Sequence, residues 1–171
     1  QIQLGSVAAS DYTITFVPAV LSITAASLTV TADAKTKVYG EVDPSLTFAV
    51  TGLVNGDSSS VVTGSLSRSG SEHVGDHSIN QGSVVASDYT ITFVPAVLSV
   101  TPASLTVTAV AKSKVYGQVD PALTFVASGL VNGDSVSVVT GSLVRVVGEH
   151  VGSRQIQLGS VAASDYTITF V

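Results

Sequence analysis

Asp88–Ala109 reads DYTITFVPAVLSVTPASLTVTA, and along it the apolar residues change sides twice. Tyr89, Ile91 and Phe93 alternate with Thr90 and Thr92, the two-residue period of a half-buried strand. Past Val94 and Pro95 the apolar positions become Leu98 and Val100, and past Pro102 they become Leu105 and Val107. Both shifts are odd-numbered, so each turns the buried face to the opposite side of the ribbon. A chain that does this at a proline passes from one core to another. Val94, Pro95, Leu98, Val100 and Pro102 are therefore the expected joint between two domains. Asp88–Phe93 closes the first, Leu98–Val100 leads out, and Leu105 and Val107 open the second.

The same words recur. DYTITFV begins at Asp11, Asp88 and Asp165, 77 residues apart each time. KVYG (Lys37, Lys114), LVNGD (Leu53, Leu130) and EHVG (Glu72, Glu149) keep that spacing, and residues 18–94 differ from 95–171 at 20 of 77 positions without insertion. Solenoid repeats run to roughly 20–50 residues, so a unit of this length suits a tandem array of small domains. The expected division is 1–24 as the end of a preceding repeat, 25–101 as a complete repeat, and 102–171 as a second repeat lacking its last strand. Gln1–Val17 is identical to Gln155–Val171. Two accounts fit that identity: a window cut from a longer array of alternating repeat types, or a subunit whose first residues complete the open final domain of a neighbour by strand donation.

Composition narrows the class. Charged residues are 11%, against about a quarter in ordinary globular chains, and mean hydropathy is +0.51. No apolar run approaches the ~18 residues of a membrane span, so membrane insertion is not expected. Thr, Ser and Gly take up the polar surface, as on the outer faces of sheets. The net charge of −5 with seven dispersed basic residues gives nucleic acid no electrostatic footing. Cysteine is absent, which removes disulfide and thiol chemistry.

Within one repeat, Leu28–Ala32 reads as a strand and Lys35–Tyr39 as a second, with its lysines on one side. Gly40–Pro44 is a turn, Pro44 presetting φ, and Leu46–Val50 is a third strand. Asn55-Gly56 predicts a type I′ hairpin turn, which needs positive φ at both central positions. Val61–Leu66, Val74–Ile79 and Ser83–Val85 give further short strands, and Asp88–Phe93 closes the repeat. No helical periodicity survives. The expected fold is all-β: tandem small β-domains, each an Ig-like sandwich or a β-grasp-like sheet, joined end to end by near-continuous strands.

At this point a family resemblance is visible. LTVTA and KVYG, then DPALTF, GLVNGD, GEHVG and DYTITF in that order closely resemble the MBG repeats of the YGX type, found in large bacterial adhesins and secreted exoproteins. The resemblance covers the whole chain. It implies a bacterial cell-surface or secreted location, repeats acting as stalk or adhesive array, and no catalytic residues.

Candidate chemistry is sparse. His73 and His150 recur while His77 gives way to Arg154, which falls short of the converging ligands a metal wants. Asp43, Asp57 and Asp88, with Asp120, Asp134 and Asp165, are the carboxylates that could join backbone carbonyls around calcium at domain junctions; calcium is the one cofactor these residues suggest. Each also sits beside Pro, Gly or Ser, where turn and capping roles account for it. A Lys37–Asp88 isopeptide crosslink assisted by Glu72 is a further possibility for a surface protein. No nucleophile elbow or phosphate-cradling loop occurs, so no enzyme activity is expected.

The differences between repeats point elsewhere. Asp33, Ser59, Ser67 and Ser69 become Val110, Val136, Val144 and Val146. Val144 and Val146 flank Arg145 and so share one strand face, each worth up to ~1.5–3 kcal/mol on full burial. That patch is a candidate lateral interface, against the alternative of neutral drift on a tolerant sheet. The partners expected are neighbouring repeats of the same protein, with self-assembly by strand complementation or lateral packing. A host or matrix ligand gripped by Gly40–Asp43 and Leu53–Asp57 is the competing reading. Near-identical loops in both repeats favour spacing, or many weak equivalent sites acting by avidity, over one specific pocket.

Overall fold

The computed structural model of the chain describes residues 2–3 and 5–171. Gln1 and Leu4, within the segment assigned above to a preceding repeat, lie outside the described residues. The first repeat holds strands β1 (Ala26–Ala32), β2 (Lys35–Val38), β3 (Phe48–Thr51), β4 (Ser67–Arg68), β5 (Gly75–Asn80), β6 (Tyr89–Val94) and β7 (Ala96–Thr101). The second holds β8 (Ala103–Ala109), β9 (Phe125–Ser128), β10 (Val144–Arg145), β11 (Ile156–Gln157) and β12 (Tyr166–Phe170). Among the described residues the helical pieces are two 3-10 turns, Ser59–Val61 and Val136–Val138. The protein is all-β, built as tandem small β-domains.

Two long ribbons run through the first repeat side by side. Residues 26–38 carry β1 and β2, and residues 89–101 carry β6 and β7. β1 pairs with β6 in parallel, Ala26 opposite Tyr89 to Thr31 opposite Val94. β2 then pairs with β7 in parallel, Lys35 opposite Leu98 to Val38 opposite Thr101, at the same offset. Pro95, which has no N–H to give the ladder, stands where the pairing breaks. The outcome is two sheets, ordered β3-β1-β6 and β2-β7-β5-β4, with β3 antiparallel to β1 and β5 antiparallel to β7. Parallel strands at the centre answer to the grasp-like alternative rather than to a sandwich of antiparallel sheets.

Along Asp88–Ala109 the parity change at Pro95 separates two cores, whereas the passage expected at Pro102 is corrected: Val100, Leu105 and Val107 share one core. Tyr89 packs with Leu28, Val30, Val62, Val84 and Ala86, and Ile91 borders that group. Leu98 packs with Ala32 and Ile79, beside Leu46, Leu66 and Phe93. Val100 belongs to a third group with Tyr39, Ala103, Leu105, Val107, Leu143, Val161, Ala163 and Tyr166, which spans both repeats. β7 therefore does more than lead out. It lies between β2 and β5, and Leu98 is fully buried there.

Two local expectations are corrected. Val61–Leu66 and Ser83–Val85 do not form strands; they meet at a single bridge, Thr63 opposite Val85. Asn55 and Gly56 do take positive φ, 56° and 78°, but the turn joins no paired strands. β3 has ended at Thr51 and a 3-10 turn follows at Ser59. Turn chemistry is local, whereas a hairpin needs two flanking strands that prefer each other to any other partner, and β3 pairs with β1.

Candidate functional site: the joint and the open cleft

Each repeat carries a ring of four alternating charges. Lys37 Nζ donates to Asp43 Oδ1 at 2.6 Å and to Glu72 Oε2, and Arg68 donates to the other oxygens of the same two carboxylates. Lys114, Asp120, Arg145 and Glu149 repeat the arrangement. The ring ties β2 to the following turn, to β4 and to the loop before β5. Burial works to lower the Lys37 pKa, but its two carboxylate partners outweigh that and raise it. Arg68, then Lys37, hold Asp43 below its ordinary range; Lys37, then Arg68, do the same for Glu72. A charged amine between two ionised carboxylates is an ion-pair cluster. It does not form the isopeptide considered above, and the Lys37 ammonium bonds Asp43 and Glu72 in place of Asp88.

A pH dependence follows. Hydrogen bonds from Arg145 and Lys114 depress Asp120 from 3.8 to about 2. A carboxyl harder to protonate in the folded chain than in the unfolded one stabilises the fold above its unfolded pKa. That contribution is lost as pH falls through the folded value. Unfolding midpoints are therefore expected to hold constant down to about pH 5 and to fall steadily towards about pH 2. A flat urea-denaturation profile across that window refutes the role of the rings.

The joint is built by an aromatic hand-over between repeats. In the second repeat the Tyr166 hydroxyl donates to Asp134 Oδ2 at 2.7 Å and accepts from the Val131 N–H at 3.0 Å. Tyr39 of the first repeat reaches across, donating to the same Asp134 oxygen at 3.0 Å and accepting from Asn132 Nδ2 at 3.1 Å. The two phenol rings meet edge to face, 5.4 Å between centroids, a favoured aromatic geometry. His73 stacks on Tyr39 at 6.5 Å. Its Nδ1 is 2.8 Å from Asp165 Oδ2, and the Val74 N–H donates to Asp165 Oδ1 at 2.8 Å. Burial alone would raise the Asp165 pKa, but the Val74 and His73 hydrogen bonds bring it below the ordinary value. Burial and the Asp134 bond push Tyr166 up to about 12.

The backbone approach is close as well. Gly40 has φ +85°, and a Cβ there would lie 2.5 Å from Val131 Cγ2. The glycine of the KVYG motif thus lets the second repeat's turn seat against the first. Thr101, Pro102 and Ala103 join β7 to β8, with the Tyr39 N–H donating to Thr101 O at 2.8 Å and the Ala103 N–H to Asp165 O at 3.1 Å.

The second repeat presents an open counterpart. Positions 112–115 and 152–155, which correspond to β2 and most of β5, are not strands; only Ile156–Gln157 remains paired, with β10. Between them lies a cleft of about 820 Å³ whose lining includes Ala109, Leu123, Ile156 and Phe170. These occupy the positions of Ala32, Leu46, Ile79 and Phe93, which enclose Leu98 in the first repeat. Tyr116 is 67% exposed, whereas its counterpart Tyr39 is 3% exposed.

The six aspartates proposed for calcium are dispersed among these roles. Asp43 and Asp120 sit in the charge rings, Asp57 accepts from Tyr89, Asp134 and Asp165 serve the joint, and Asp88 is exposed. Among the described residues no three His, Asp or Glu side chains are grouped to hold a metal ion. Val110, Val136, Val144 and Val146 are between 36% and 53% exposed. Arg145 turns inward to Asp120 between the last two. The residues that carry the joint, Tyr39, Asn132 and Tyr166, were not singled out by the sequence. The available signal was Tyr39 in phase with Lys35 and Lys37 in a chain with only 6% aromatic residues.

Fold and joint together define a repeat protein whose units interlock through one contact that each repeat carries the residues to make. The chain belongs to the MBG domain (YGX type) family, whose model matches residues 28–99 and again 105–171. No curated protein and no solved structure matches it. The family is one of structural or adhesin-like repeat modules. No helix among the described residues is long and apolar enough to cross a membrane.

Proposed function

We propose that this chain is a non-catalytic spacer section of a bacterial extracellular stalk or fibre, holding whatever lies beyond it at a fixed distance and orientation. One observation carries the reading: the repeats are joined with no flexible linker and are locked by Tyr39, Gly40 and His73 against Val131, Asn132, Asp134, Asp165 and Tyr166. A covalent connection of one proline between β7 and β8, plus a shared apolar core, leaves little freedom to bend. Two of the loops that would serve a ligand-binding module are engaged here. Gly40 and the Leu130–Asp134 turn face each other across the joint, which favours spacing over ligand capture. The family match and its typical occurrence in secreted surface proteins support an extracellular location.

Small-angle scattering of the chain at high dilution is expected to give the pair-distance distribution of a rigid two-domain rod. A profile that requires an ensemble of inter-repeat angles overturns the spacer reading.

A further inference from the structure

Two turns of identical sequence sit in this chain, and one contact separates them. Leu53–Asp57 and Leu130–Asp134 both read LVNGD. Asn55 and Asn132 each have φ 56°, followed by Gly56 at 78° and Gly133 at 76°. The Asp57 N–H donates to Val54 O at 3.0 Å, and the Asp134 N–H to Val131 O at 2.9 Å. A tyrosine braces each turn in the same way. The Tyr89 hydroxyl donates to Asp57 and accepts from the Val54 N–H, as the Tyr166 hydroxyl does with Asp134 and Val131. Both asparagines are exposed, and a Cβ on either following glycine would meet nothing within 4 Å. Among the described residues only Asn132 has a side-chain partner: its Nδ2 donates to the Tyr39 hydroxyl at 3.1 Å across the joint.

Asparagine followed by glycine is the pair most open to deamidation, because glycine puts no Cβ in the way of its own nitrogen. The Gly133 nitrogen attacks Asn132 Cγ, and the side-chain nitrogen leaves as ammonia with the proton that Gly133 gives up. Water then opens the cyclic imide, its hydroxyl going to one carbonyl carbon and its proton to the ring nitrogen. Aspartate or isoaspartate results. Attack requires the Asn132 side chain to swing away from its place, which breaks the bond to Tyr39.

We propose that Asn132 is a deamidation site which the joint holds closed, so that opening of the joint leaves a permanent chemical mark there. The product does not restore the contact. The Tyr39 hydroxyl gives its one proton to Asp134 and takes a donor from position 132, whereas a carboxylate only accepts. The new carboxylate also stands near that of Asp134, a like charge. Isoaspartate carries its Cβ in the main chain as well, which lengthens the turn seated against Gly40. The inference uses the joint on which the spacer reading rests, but the two fail separately. Scattering of freshly prepared chain reads stiffness, and the rates below read single residues.

The chain is aged in warm, mildly alkaline buffer and sampled by peptide mass mapping, which follows positions 55 and 132 together. Asn55 is expected to convert first and Asn132 to lag. Tyr39→Phe removes one hydrogen bond and should speed conversion at 132 by about two- to tenfold. The Asn55 rate should stay unchanged, which controls for general unfolding. Asn132→Asp carries the direct product. In it the Val74 amide, which donates to Asp165 across the joint, should exchange hydrogen at least about fivefold faster than in the parent chain. Conversion at 132 as fast as at 55, or a rate at 132 indifferent to Tyr39→Phe, would overturn the protection. Unchanged exchange of the Val74 amide in Asn132→Asp would overturn the effect of the mark on the joint.

Discussion

Tyr39→Ala is expected to destabilise the paired repeats by about 3–5 kcal/mol, the cost of deleting a buried aromatic side chain. Tyr116→Ala, the same change in the same KVYG motif, should shift stability by no more than about 0.5 kcal/mol in the dilute chain. The contrast comes from position alone. Tyr39 is 3% exposed, stacked on His73, edge-on to Tyr166 and bonded to Asp134 and Asn132, whereas Tyr116 is 67% exposed. Tyr39→Phe keeps the ring and removes the hydroxyl; Asp134 retains Tyr166 as a donor, so the loss should be only about 0.5–1.5 kcal/mol. Urea unfolding followed by tyrosine fluorescence measures all three. Equal effects at positions 39 and 116 would show that the joint contributes nothing, and scattering of the alanine variant should then be as rod-like as that of the parent chain.

Leu98→Ala should cost the first repeat about 2–5 kcal/mol. Leu98 is fully buried among Ala32, Ile79, Leu46, Leu66, Phe93 and Ala96, and its strand has partners on both sides. A cavity at that point cannot be filled by sliding β7, because a one-residue slip would also expose Val100. The equivalent Leu21→Ala removes a side chain that is 71% exposed, and folding stability should stay within about 0.5 kcal/mol. Thermal unfolding of the two variants beside the parent chain decides the matter. Similar losses at 98 and 21 would mean that Ala19–Thr24 is already packed within its own chain.

Much of this architecture was legible in the residues. The alternation of Tyr89, Ile91 and Phe93, and the parity change at Pro95, marked a passage between cores, because side-chain direction in a strand follows from its two-residue period; the change at Pro102 did not, since Val100, Leu105 and Val107 share one core. The positive φ of Asn55 and Gly56 was legible for a similar reason: backbone sterics are decided by the residue itself. The strands expected at Val61–Leu66 and Ser83–Val85 failed because Ser, Val and Thr propensity says only that a segment tolerates extension. Whether it joins a sheet depends on which edge is within reach.

The parallel pairing of β1 with β6 and of β2 with β7 was not legible. Its register joins residues 63 positions apart, and nothing local specifies a partner at that distance. The roles of Asp134, Asp165 and His73 were hidden in the same way. Each belongs to a motif suited to turns, and only the stacking of one repeat on the next brings Tyr39 to Asp134 and His73 to Asp165.

The sequence by itself determined the all-β class and the 77-residue unit, because repetition and strand periodicity are written along the chain. The tertiary structure decided that β7 is a central strand and that the joint is an aromatic and carboxylate interlock. Those depend on which distant segments share a sheet edge. That choice rests on the burial of Leu98, Val100 and Tyr39, which no local pattern encodes.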